Sequence, residues 1–121
     1  MKPRNGACRM PAERIAQSPQ VVLILSTFGT AEAAEACGRQ LVTDGLAACV
    51  QVDGPIRSIY RWRDEVQIDE EFRLLIKTSS AVAANCQTTL EQVHPYDLPE
   101  IVVLDAAASP AYAAWVAGTP T

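Results

Sequence analysis

Two periods of hydrophobicity organise this chain. Residues 21 to 28, VVLILSTF, form a nearly unbroken β-branched and aliphatic run, the pattern of a strand covered on both faces, and Gly29 ends it. A helical period follows. With Thr30 as N-cap and Glu32 and Glu35 near the positive end, Ala34, Cys37, Gly38, Leu41 and Val42 fall at i, i+3, i+4, i+7 and i+8. That spacing gives one face to lay on a sheet; Gly38 would let the helix sit close, and Gly45 is its stop.

From residue 46 the period changes to two. Leu46, Ala48, Val50 and Val52 alternate with polar or small neighbours, DGP interrupts at 53 to 55, and Ile56, Ser58, Tyr60 and Trp62 resume on the same parity. The reading is one long strand, bent or bulged at Gly54. Beyond RDE, the apolar Val66, Ile68, Phe72, Leu74 and Ile76 are set against Glu65, Gln67, Asp69, Glu71 and Arg73, which predicts an extended antiparallel hairpin. A three-residue loop over 63 to 65 would keep the apolar positions of both arms on one side. A two-residue turn at Arg63 and Asp64 would flip one arm unless a bulge corrected it. Residues 66 to 78 at about 3.3 Å each give an arm of roughly 40 Å, more than two helices of one small domain can cover. Its far end, with Tyr60, Trp62, Val66 and Ile68, is therefore expected to meet another subunit.

A second helix is expected from a TSS cap at 78 to 80, presenting Val82, Cys86, Leu90 and Val93 before Pro95 disfavours helical geometry at His94. A last strand runs from Glu100, and a short C-terminal turn surrounds Tyr112 and Trp115. The order β-α-β-β-α-β is the α+β, ferredoxin-like arrangement, a four-stranded antiparallel sheet with two helices on one face, here with a long β-hairpin.

Composition narrows the class. The chain has 121 residues, 49% hydrophobic and 20% charged, which suits one globular domain. Its apolar run VVLIL is far shorter than the roughly 18 residues of a membrane span, so no membrane role is expected. The net charge of −4 conceals a basic start, where Lys2, Arg4, Arg9 and Arg14 face only Glu13, and an acidic remainder that repels nucleic acid. Residues 1 to 19 read as a disordered basic tail, or as a start placed too far upstream with Met10 as another start; residues 20 to 117 read as the domain, and 118 to 121 as a C-terminal tail. Cys8, Cys37, Cys49 and Cys86 include no CxxC pair, pointing to the cytoplasm rather than to a disulfide framework.

Five stretches, GLAACVQV at 45 to 52, IRSIYRWRDEV at 56 to 66, LLIKTSS at 74 to 80, HPYDLPEIVVL at 94 to 104 and YAAW at 112 to 115, resemble the CutA divalent-cation-tolerance family, over about residues 20 to 117. The resemblance implies a cytoplasmic homotrimer of ferredoxin-like subunits, linked to tolerance of copper and other divalent metal ions. A trimer would cover the long hairpin. Metal-binding relatives carry a cysteine before the first-strand threonine and a pair of histidines before the proline; this chain has Ser26 and the sequence Val93-His94 there, so His94 alone matches the three ligand positions.

The candidate chemistry stays open at several residues. His94 either caps a free carbonyl at the helix exit or coordinates a metal ion, as imidazole does with copper and zinc. Cys49, on the odd parity of its strand, is either a small packed hydrophobe or a thiolate ligand. Lys77, Tyr60, Trp62, Tyr96 and Glu100 either pack and solvate separately or gather as a ligand cleft between subunits. Asp69, Glu70 and Glu71 read as a solvated hairpin face rather than a preformed cation cage. A glycine-rich phosphate loop and an HExxH motif are both missing, and Cys49 with His94 is the one Cys/His pairing, so the chain is not expected to be an enzyme and no organic cofactor is implied. The rivals to a metal-binding trimer are a signalling scaffold built like the PII regulators and a small thiol enzyme.

Overall fold

In a computed structural model, which describes residues 20 to 118, the chain runs β1 (Gln20–Phe28), α1 (Ala31–Thr43), β2 (Cys49–Trp62), β3 (Glu65–Thr78), α2 (Ala83–Val93), β4 (Val102–Ala107) and α3 (Pro110–Gly118). The sheet order is β2-β3-β1-β4, every pairing antiparallel. This is the ferredoxin-like arrangement that the sequence periods predicted. The expected tail at 1 to 19 lies outside the described residues, as do 119 to 121, whereas Gly118 closes the last helix.

The two sheet faces carry separate cores. On one, Val22, Ile24, Phe28, Leu74 and Ile76 are buried under Ala34, Cys37 and Leu41 of α1 and Cys86 and Leu90 of α2. Thr30 caps α1 by accepting the Ala33 N–H at 3.1 Å, and a Cβ on Gly38 would stand 2.7 Å from Val50 Cγ2, so the glycine sets how closely the helix approaches. Val42, expected on the packed face, is 39% exposed. On the opposite face Val21, Ala48, Ala113 and Val116 form a second cluster.

That second cluster belongs to α3, where the sequence reading expected only a turn. Pro110 occupies the first helical position, where its missing N–H costs nothing, and the Ala113 amide returns to Ser109 O at 2.9 Å. Among the described residues, two helices thus lie on one face and a third on the other.

Element boundaries also differ from expectation; β4, for one, begins at Val102 rather than at Glu100. β2 begins at Cys49, not at 46, because Gly45 (φ 72°) closes α1 in a Schellman motif, with Leu46 N–H bonded to Leu41 O at 2.9 Å. α2 begins at Ala83 with Val82 as an N-cap that makes no side-chain bond; Thr78, expected in the cap, instead donates its hydroxyl to Leu46 O at 2.7 Å. The hairpin closes on two residues, Arg63 (φ 52°) and Asp64 (φ 68°), with Trp62 opposite Glu65.

This two-residue turn overturns the single apolar face expected of the arm. The register shifts once, between Asp53 and Ile56, so beyond the bulge Ile59 faces Ile68 and Arg61 faces Val66, while Tyr60 faces Gln67 and Ser58 faces Asp69. Val66 and Ile68 therefore share a face with Ile59, and Tyr60 and Trp62 occupy the other, beside the carboxylates of β3.

Candidate functional site

His94 ends α2, its amide bonded to Leu90 O at 3.0 Å and its backbone turned to an extended conformation before Pro95. The ring is only 7% exposed and stacks on Phe28 with centroids 4.3 Å apart. The Tyr96 amide donates to Nδ1 at 3.1 Å, which leaves the ring proton on Nε2, where it is donated to the Thr27 carbonyl at 2.8 Å. Both nitrogens are thereby engaged within the chain. Burial lowers the His94 pKa from its usual 6.5, against the opposing pulls of the Thr27 carbonyl and the Glu71 charge, so the neutral ring is favoured. A metal ion would reach this imidazole only after one of the two hydrogen bonds broke.

Tyr96 carries that anchorage outward. Its ring meets His94 edge to face with centroids 4.8 Å apart, and its hydroxyl donates to Glu71 Oε2 at 2.9 Å. Glu71 is 8% exposed, and this phenol is its hydrogen-bond partner. Burial, then the Glu71 carboxylate, push the Tyr96 phenol up to about 12, so it remains a donor at neutral pH. A second phenol, Tyr60, donates to Asp69, and this hydrogen bond raises its pKa as well.

These groups line an open cleft of about 770 Å³ between the hairpin face and the loop after α2. Tyr60, Trp62, Tyr96 and Glu100, all expected at a cleft, lie on its wall together with Asp69, Glu71 and Asp97. Asp69 and Glu71, expected on a solvated hairpin face, line this wall instead. Their signal was parity: once the turn has two residues, they share the face of Tyr60 and Trp62, while Glu70 points to the other side.

Lys77 does not line this cleft within the single chain. It stands opposite Leu23 and Cys49 on the face packed by α3, with Nζ 5.7 Å from the Tyr112 ring centroid. Cys49 is half-buried beside it, its sulfur 4.0 Å from Val50 O. His94 stacks on Phe28, which belongs to the other face, so the sheet separates the one expected Cys/His pairing. Ser26 Oγ is buried without a partner in that same face. Among the described residues, no three His, Cys, Asp or Glu side chains are gathered closely enough to hold a metal ion. No helix among them is long and apolar enough to cross a membrane.

Comparison with known proteins agrees over nearly the whole described chain. The family model for the CutA1 divalent ion tolerance protein matches residues 22 to 119. The divalent-cation tolerance protein CutA of Thermus thermophilus is 39% identical over 82 residues, covering 68% of this chain and 80% of its own length. A probable homologue from Encephalitozoon cuniculi is 37% identical over 91 residues, 74% and 79% of the two chains. Among solved structures, the CutA1 protein of Ehrlichia chaffeensis superposes with a TM-score of 0.81 at 27% identity, covering 85% of this chain and 97% of that one. CutA from Synechococcus elongatus gives 0.80 at 33% identity, with 86% and 93% covered.

Proposed function

Since this chain belongs to the CutA1 divalent ion tolerance protein family, we propose that it serves tolerance of, or response to, divalent metal ions, copper foremost, by binding them in the acidic cleft of a cytoplasmic homotrimer, without catalysing a reaction. The observation that carries this reading is Glu71, a nearly buried carboxylate opposed by a phenol rather than a cation, in a cleft also bordered by Asp69, Asp97 and Glu100; since no three such groups are gathered among the described residues, an ion there would be held by one or two carboxylates and water. Carboxylates and water suit divalent ions generally, and the Irving–Williams order places Cu(II) tightest among first-row metals at any such oxygen site. His94 and Cys49 are the softer donors, but His94 becomes available only when its bond to the Thr27 carbonyl or to the Tyr96 amide breaks. A trimer is supported by the arm, where Ile59, Val66 and Ile68 stand 69%, 67% and 62% exposed.

Calorimetric titration with Cu(II), Zn(II) and Mn(II) tests the reading. Saturable binding, strongest for copper and weakened about tenfold or more in Glu71→Gln, is the expected result. His94→Asn should leave the affinity unchanged if the carboxylates hold the ion, and abolish it if the imidazole does. Absence of saturable binding by any of the three ions would transfer the function to partner contact by a trimeric scaffold.

A further inference from the structure

The cleft is larger and more aromatic than a metal ion needs. Six waters around an ion occupy about 180 Å³ at about 30 Å³ each, whereas the cleft measures about 770 Å³. Its carboxylates do not converge, since no three of them are gathered among the described residues. Asp69 and Glu71 instead project from the same face of β3 two residues apart, about 7 Å along the strand. Between and around them stand the rings of Tyr60, Trp62 and Tyr96, with Trp62 41% exposed at the distal end. Arg61 also borders the cleft, but its register places it beside Val66 on the opposite face of the hairpin. The built features are spaced negative charges, apolar faces with π-electron density, and one carboxylate sunk beneath the surface.

We propose that this cleft binds a flexible aliphatic polyamine, with one ammonium on Glu71, a second on Asp69 or Glu100, and the methylene chain laid against Trp62 and Tyr96. Ammonium groups are attracted both by carboxylates and by the faces of aromatic rings, and methylenes gain from leaving water, so one ligand class uses both the carboxylates and the rings, with Arg63, 5.8 Å from the Trp62 ring centroid, to be displaced from that ring. Both phenols already donate to their carboxylates, which leaves the remaining carboxylate lone pairs to accept from an ammonium. Polyamine and divalent ion would then compete for Glu71. The inference rests on the same cleft as the metal reading, but not on metal being bound there.

Titration of the full chain with spermidine at physiological ionic strength, with Mg(II) as a charge control, separates the possibilities. Saturable spermidine binding is expected to weaken about tenfold in Glu71→Gln and about threefold in Trp62→Ala. Glu100→Gln, at an exposed position, is expected to weaken spermidine binding about threefold and keeps the test open should Glu71→Gln not fold. Spermidine binding that ignores both the tryptophan and the carboxylates, or that Mg(II) reproduces at equal ionic strength, would reduce the effect to general charge attraction and overturn the proposal. Copper binding without spermidine binding overturns the polyamine alone; spermidine binding without copper binding overturns the metal reading alone.

Discussion

The β2–β3 hairpin alternates with period two on both sides of its bulge, yet its two halves behave as different materials. Below the bulge at Asp53 to Ile56, Leu74 and Ile76 are fully buried beneath α1 and α2. Beyond it, Ile59, Val66 and Ile68 are largely exposed, and the facing surface carries Tyr60, Trp62 and carboxylates. The same period-two pattern thus closes a core where helices lie over it and offers a surface where none do. Alternation reports that a strand has two unlike faces; it does not report what covers them.

Substitutions can break the contrast. Leu74→Ala in the proximal half should cost about 3 kcal/mol in denaturant unfolding, through lost transfer energy and a cavity that two helices cannot fill. Ile68→Asp in the distal half should leave the fold of a single chain within about 0.5 kcal/mol of the parent while lowering the light-scattering mass from three times to one times 13.0 kDa. Were the monomer itself to unfold, the arm would be part of the core and the contrast would fail.

His94 sharpens the comparison at the edge where the proximal core meets the cleft. Because burial lowers its pKa below 6.5, the unfolded chain takes up a proton first. Stability from the neutral ring is complete above about pH 6.5 and is lost as pH falls from there through the folded-state value. Urea midpoints across pH 5 to 7.5 should show that decline in the parent and a flatter profile in His94→Asn. The smallest effect is expected at the tip. Asp64 holds a positive φ of 68°, which glycine adopts without penalty, so Asp64→Gly should raise stability by up to about 1 kcal/mol.

The element order, the seat of Gly38 and the bend near Gly54 were legible because each rests on local spacing. Parity across the hairpin was not, since it depends on whether Arg63 and Asp64 both enter left-handed geometry, a choice made without the usual Asn-Gly signal. That single ambiguity displaced Val66 and Ile68 to the wrong face and concealed Asp69 and Glu71 as wall residues. Lys77 shares the β3 face of Asp69 and Glu71 but lies six residues beyond Glu71 along the strand, against Tyr112 of α3, a separation that parity does not report. α3 was underestimated although Pro110 stood at its first position, its alanines giving little apolar periodicity. At His94 the sequence offered two roles, and the partners that distinguish them, Thr27 and the Tyr96 amide, are fixed only by tertiary contact and by the turn after the helix.

The register of the distal arm also constrains how such a chain can change over generations. Its two surfaces differ in kind, aliphatic on one side and aromatic with carboxylates on the other, and a single inserted residue in either strand would exchange them from that point to the tip. Length variation that preserves both surfaces must come as two residues added to or removed from each strand together. Arms in descendants of this sequence should therefore lengthen or shorten in steps of four residues, and a lineage with an odd change should carry a new bulge that restores the phase.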